Sequence, residues 1–242
     1  MQILSPPWTT LGKKLESTCR KALFDFNLAE NPPICVALSG GADSIALLLL
    51  LNAISGKGFI PFNPFAIHVE NRALPNESLI LFMQDLCERL QIPLIIKYMD
   101  LELNKLECYR CSRARRKIIF EEAKKQGASC VAFGHHRDDN AETFLLNILH
   151  KGECAAILPK IKMHNYGITI IRPLIYIAKA DILNFISLCR IEIIPSICPK
   201  DKDSSRKVIK AIIAKLQDDF PSAQNNLASA GLLYGSKKAL NT

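Results

Sequence analysis

The chain lacks any apolar run long enough to cross a bilayer: the stretch around Leu47–Leu51 is far shorter than the about 20 residues a spanning helix needs. It also lacks the basic start and following apolar segment of a secretory signal, since it opens MQILSPPWTTLGKK. A cytoplasmic protein with no membrane contact is the expectation. There is no internal repeat and no low-complexity tract, which speaks against a repeat array or a disordered chain. Only one C-x-x-C is present, so a four-cysteine structural zinc site has no second half. Acidic residues are the scarcer charge, 23 against 31 Lys and Arg, and the net charge of +8 suits a polyanionic partner, nucleic acid before others.

What is present is a chain of 242 residues, 49% apolar, enough for one large α/β core. Its most informative stretch is ICVALSGGADSIALLLLL, Ile34 to Leu51. A short apolar run is cut by Ser39-Gly40-Gly41, and Asp43-Ser44 open a longer one, so the pattern is strand, glycine turn, helix. Two glycines let backbone approach a ligand, and Ser39 and Ser44 bring hydroxyls beside unpaired helix amides, an arrangement suited to phosphate. The two commoner phosphate loops do not fit. A Walker-type loop requires Lys-Ser/Thr where Ala42-Asp43 stands, and the dinucleotide fingerprint requires a third glycine.

Helical spacing over Leu11–Leu28 precedes this strand, and a strand over Phe65–Val69, a polar loop over Glu70–Pro75, a helix over Ser78–Leu90 and a strand over Leu94–Tyr98 follow it. A basic helix spans Ser112–Gly127, a fourth strand Ser129–Phe133 and a helix Glu142–His150. Residues 151–167 read as a loop, Ile168–Ile171 as a short strand, Lys179–Arg190 and Arg206–Leu216 as helices. The βαβαβ order predicts an α/β fold, a doubly wound parallel sheet with helices on both faces. Residues 1–10 read as unstructured, 1–28 as a helical lead-in, 29–232 as the catalytic domain and 233–242 as a tail. The loops after the strands, at Ser39, Glu70 and His135, should converge on the carboxyl edge of the sheet, where ligands bind in such folds.

A second string, GHHRDDNAET from Gly134 to Thr143, sets two histidines, an arginine and two aspartates between a strand and a helix. An aspartate there can cap the helix, but that explains only one of them. His135 and Arg137 are candidates to offset phosphate charge, and Asp43 or Asp138 to hold magnesium with ATP. Phosphate contact by His135 ranks above metal ligation by the histidine pair, because adjacent side chains diverge. Cys108 and Cys111 could be a redox pair, half of a zinc site, part of an iron–sulfur site or a chance spacing. Cys198, between Pro195 and Pro199, is the foremost third ligand. Cys19, Cys35, Cys87, Cys130 and Cys189 read as buried packing residues, and Cys154 is unassigned.

SGGADS directly after an apolar strand resembles the PP-loop ATP pyrophosphatases, which cleave ATP between its α and β phosphates and adenylate a substrate. C-x-x-C-S-R-x-R-R (Cys108–Arg116), G-H-H-R-D-D (Gly134–Asp139), I-R-P-L (Ile171–Leu174), I-I-P with a following cysteine (Ile193–Cys198) and D-F-N (Asp25–Asn27) occur in this order in the tRNA 2-thiocytidine synthetases. The resemblance runs from about residue 12 to residue 232. It implies ATP, Mg2+ and a [4Fe–4S] cluster on Cys108, Cys111 and Cys198, with adenylation of the C2 oxygen of a cytidine at position 32 of the tRNA anticodon loop and its replacement by sulfur. It implies that Ser39, Gly40, Gly41, Asp43, Ser44, His68, Gly134, His135 and Arg137 hold the nucleotide, and that Asp43, His135, Asp138 and the three cysteines act in the reaction. A cysteine desulfurase as sulfur donor and a homodimer also follow from it.

Three features depart from that pattern. Ala42 stands where the thiocytidine enzymes carry lysine, HVENRALPNES (His68–Ser78) and the AET of Ala141–Thr143 are closer to tRNA lysidine synthetases, and Ser196-Ile197-Cys198 leaves one cysteine where a pair is usual. Arg110, Arg113, Arg115, Arg116 and Lys117 crowd five cations into eight residues and, with Arg172, are expected on the tRNA backbone. Lys200, Lys202, Arg206, Lys207 and Lys210 extend that surface. Two rivals remain at this point: a lysidine synthetase-like ligase, which leaves the three cysteines without a role, and a non-catalytic metal-stabilised RNA-binding protein, which leaves SGGADS and GHHRDD without one.

Overall fold

Alternate residues of β1 (Ile34–Ala37) face opposite helical layers, and all four are buried. Ile34 and Val36 join one core cluster, Cys35 and Ala37 the other. A strand covered on both faces reads as an unbroken apolar run, which is why ICVA is legible as an interior strand. The computed structural model describes residues 2–27, 33–101, 108–195, 197 and 205–234.

Among these, β1, β2 (Pro64–Asn71), β3 (Leu94–Met99), β4 (Cys130–Ala132), β5 (Lys160–Met163) and β6 (Ile168–Ile171) form one sheet in the order β3-β2-β1-β4-β6-β5. All neighbours pair parallel except β5, which runs antiparallel to β6 at the edge. The fold is therefore α/β with a mostly parallel sheet, as expected. The order of connection reverses between β1 and β4, so the loops leaving these two strands flank the switch point.

Helices α1 (Thr10–Asp25), α2 (Ala42–Ile54), α3 (Glu77–Leu90) and α6 (Lys179–Leu188) cover one face, and α4 (Cys108–Lys125) covers the other. Ile45 to Leu51 of α2 are fully buried around the whole helix, between the sheet and the layer of α1 and α6. Each of those leucines contributes about 1.5–3 kcal/mol by leaving water, so α2 is the firmest support for the loop at its start. α5 (Arg137–Lys151) carries a further layer of α7 (Ser205–Asp219) and α8 (Ala223–Gly231), packed through Ala141, Ile209, Ile213 and Ala228.

Several boundaries differ from the sequence expectation. β2 continues through Glu70 and Asn71, both buried, instead of giving way to a loop after Val69. α5 begins at Arg137, because His136 caps it: His136 Nδ1 accepts the Asp139 amide and Asp139 accepts the His136 amide, a reciprocal box. β5 and α8 lie where a loop and no element were expected. The first ten residues are not all loose, since Trp8 is buried edge-on to Phe185 and Thr9 caps α1. The expected tail from 235 onward falls outside the described residues. No helix among those described is long and apolar enough to cross a membrane.

Candidate active site

The loop after β1 closes on itself. Ser44 Oγ accepts the Ser39 amide at 3.2 Å, donates to the Gly41 carbonyl at 2.9 Å and lies 3.1 Å from Ser39 Oγ. Ser44 is thus a brace of the turn more than an open hydroxyl, and it is buried. Gly40 takes φ +81°, where a side chain would be strained and its Cβ would overlap Leu79. Gly41 caps α2 without a side-chain hydrogen bond, so the first amides of α2 receive no side-chain acceptor from their N-cap residue. Ala42, the departure from the resembled pattern, packs into the main core.

The loop after β4 meets this turn at close quarters. A Cβ on Gly134 would stand 3.0 Å from Asp43 C and 3.1 Å from Ser44 N, so glycine lets the two backbones approach closely and any side chain would press them a few tenths of an ångström apart. Next to it, Arg172 Nε donates to His135 Nδ1 at 3.3 Å, which leaves the neutral ring's proton on Nε2. Burial first, and then the charge of Arg172, push His135 down to about 3. At neutral pH it is uncharged, so it offers a hydrogen bond to phosphate and not the positive charge expected of it. Arg172 itself is buried and lowered to about 10 by desolvation, then by Arg116, and remains a cation. It also donates to the Leu158 carbonyl, so it stands behind His135 and not on the open basic surface where it was expected.

His68 is buried on β2 with Nδ1 2.8 Å from the Leu38 carbonyl and Nε2 2.9 Å from Glu70 Oε2. Both polar atoms are committed to the protein, and the ring serves as cleft wall. Glu70 Oε1 accepts the Asn76 amide, which ties this pair to the start of α3.

Ser39, Asp43, Ser44, His68, Gly134, His135 and Asp139 line one cleft together with Cys111, Ser112, Arg115 and Arg116 of α4 and Arg206 of α7. Its volume, about 520 Å³, is that of a pocket for a ligand of nucleotide size. The predicted convergence of the Ser39 and His135 loops is present, with the end of β2 as the third wall. Asp139, not Asp138, lines the cleft. Asp138 instead accepts the Lys179 amide at 3.1 Å and lies 3.3 Å from Arg137 Nε, which joins α5 to α6. Arg137 does not line the cleft, and its Nε is the atom engaged with Asp138.

Sequence reasoning missed Lys179. Its Nζ lies 2.6 and 2.7 Å from the two Asp43 oxygens, a contact between residues 136 positions apart that no local motif announces. His136 Nε2 is 3.8 Å from the same carboxylate.

Cys108 opens α4 and Cys111 follows one turn later, on the cleft. Cys198, Lys200 and Lys202 fall outside the described residues. Cys19, Cys35, Cys87, Cys130 and Cys189 are buried, and desolvation raises every one of their thiols, Cys189 to about 11 and Cys87 to about 12, so none is a ready thiolate ligand. Arg113, Arg115, Arg116 and Lys117 are exposed on α4, while Ile119, Phe120 and Ala123 hold the helix to the sheet. Lys210 lies 3.6 Å from buried Glu142. Among the described residues no three His, Cys, Asp or Glu side chains gather as a metal site. Magnesium, which takes one or two carboxylates and completes its shell with phosphate oxygens and water, fits Asp43 in that mode.

A mostly parallel sheet with a glycine phosphate turn and an uncapped helix start at its switch point defines a nucleotide-binding α/β protein. The chain belongs to the PP-loop domain family, matched over residues 11–216, and within it to the tRNA-cytidine(32) 2-sulfurtransferases. It is 33% identical over 228 residues to the tRNA-cytidine(32) 2-sulfurtransferase of Aromatoleum aromaticum, covering 91% of this chain and 72% of that one. Against the enzyme of the same name from Legionella pneumophila it is 33% identical over 232 residues, covering 92% and 81%. In fold it is similar to the U34-tRNA thiolase of Methanococcus maripaludis, solved with its [4Fe–4S] cluster: TM-score 0.77, 23% identity, 91% of this chain and 78% of that one.

Proposed function

We propose that the protein thiolates tRNA in two chemical steps in one cleft: ATP adenylates the C2 oxygen of a cytidine, at position 32 of the anticodon loop, and sulfur then displaces AMP. The observation that carries this reading is the single cleft shared by the Ser39–Ser44 turn and by Cys111, Arg115 and Arg116. In the first step the C2 oxygen forms a bond to the α-phosphorus and pyrophosphate leaves; in the second a C–S bond forms at C2 and the C–O bond to AMP breaks. An amide-like oxygen is a poor leaving group until it is adenylated, so the site must bring two anions together and keep water out.

The α2 amides and the Ser39 turn receive phosphate, and Asp43 takes magnesium with the phosphate oxygens. His135, neutral, donates from Nε2 without adding charge. Arg115 and Arg116 sit where cleft and exposed surface meet, so they serve both the nucleotide and the tRNA backbone. Arg113 and Lys117 extend that backbone contact. Cys108, Cys111 and Cys198 would hold a [4Fe–4S] cluster, which would supply the sulfur-transfer chemistry of the second step. The exposed basic face suits a single-stranded loop with splayed bases. Sulfur comes in this reading from a cysteine desulfurase, in the cytoplasm, and the enzyme works as a homodimer.

The test is mass spectrometry of tRNA nucleosides from cells with and without the gene. Loss of 2-thiocytidine, restored by the wild type and not by Cys111→Ala that still binds ATP, supports the reading; loss of lysidine instead would refute it. Protein purified without oxygen should be brown, and a colourless zinc protein would remove the cluster from it.

A further inference from the structure

The turn Ser39–Ser44 contains no cationic side chain of its own, yet it is to receive a triphosphate. The cation that reaches it comes from the far side of the sheet's switch point. Lys179 opens α6, its backbone amide donates to Asp138, and its ammonium bridges both oxygens of Asp43. About a third of the Lys179 side chain is exposed, and it approaches Asp43 from the α6 side, not from among the residues that line the cleft. The start of α6 is held by Asp138, which accepts the Lys179 amide, while Gly41 at the start of α2 brings no side-chain cap.

Lys179 and magnesium compete for Asp43. An ammonium centred on both oxygens holds the position a bidentate metal would take, and a second cation on one carboxylate meets like charge at short range. The conflict resolves if the ammonium moves to the incoming phosphates, for which a point charge on a flexible stem is suited.

Resting on the reading that this cleft binds ATP, we infer that Lys179 is a phosphate-binding residue that exchanges partners: paired with Asp43 before ATP binds, it transfers to the pyrophosphate end of ATP and releases Asp43 to magnesium. This places the β and γ phosphates at the meeting of α2 and α6, and the α phosphate with the nucleoside inside the cleft.

The experiment is calorimetric titration of the full-length protein with ATP, pyrophosphate and adenosine, with magnesium and with chelator. Lys179→Ala should weaken ATP and pyrophosphate at least tenfold and leave adenosine within twofold, with Lys179→Arg retaining most of the affinity. Asp43→Asn should bind magnesium-free ATP severalfold more tightly than wild type, and the double variant with Lys179→Ala should lose that gain. A Lys179 that only props up Asp43 gives the opposite pattern: adenosine and ATP weaken together, or Asp43→Asn binds magnesium-free ATP no better, and either result overturns the exchange. Circular dichroism at matched temperature identifies a variant that has unfolded, and Lys179→Arg then carries the test. A wild type that binds adenosine but neither ATP nor pyrophosphate overturns the ATP reading itself.

Discussion

His135 shows how neighbours set the chemistry of a residue whose type alone suggests a charge. Its ring is pushed down to about 3, while the unfolded chain binds that proton near 6.5. The folded state therefore holds fewer protons between these values, and stability present above pH 6.5 is lost as pH falls toward 3. His135→Gln removes the titrating group and keeps a donor. The stability difference between wild type and variant, from urea unfolding at a series of pH values, should move against the wild type by up to about 1.4 kcal/mol per pH unit between pH 6 and 4. Parallel curves would mean that the ring titrates normally. The identity of His135 was legible in GHHRDD; its neutrality was not, because Arg172, Arg206 and Arg116 come from other elements. Lys179 was hidden for the same reason: its partner Asp43 is 136 positions away.

At the scale of elements, α2 and the α5–α7–α8 layer differ in how they are held. α2 is enclosed by fully buried leucines, whereas α7 and α8 dock on α5 through Ala141, Ile209, Ile213 and Ala228, with Asn140 bridging to the Ala228 carbonyl and the Ile157 amide. A smaller buried apolar seam means a lower opening free energy. Hydrogen exchange should proceed faster in α7 and α8 than in α2, and should slow in α7 when ATP is added, since Arg206 on α7 lines the cleft. Exchange of all three helices at one rate would show a single cooperative unit. β5 escaped the sequence reading because KIKM is short, polar and only half buried, and α8 because AQNNLASAG is built of small and polar residues without an apolar stripe. α4 was placed four residues late: its first turn carries the C-x-x-C, which reads as a site before it reads as a helix.

At the scale of the molecule, the net charge of +8 becomes an oriented surface once α4 turns Arg113, Arg115, Arg116 and Lys117 outward. Affinity for tRNA should fall linearly in log–log plots against salt, and replacing Arg113 and Lys117 by Gln should lower the slope by about 0.7 for each phosphate no longer neutralised. An unchanged slope would put the tRNA elsewhere. The amino-acid sequence by itself determined the parallel α/β class, the phosphate turn and the choice of ligating cysteines to consider, because strand periodicity, paired glycines and helix starts are local and act within a few residues. Only the tertiary structure decided which aspartate lines the cleft, that Ala42 belongs to the core, that Arg172 backs a neutral histidine and that Lys179 holds Asp43. Burial and long-range pairing fix these, and both depend on which strands the switch point brings side by side.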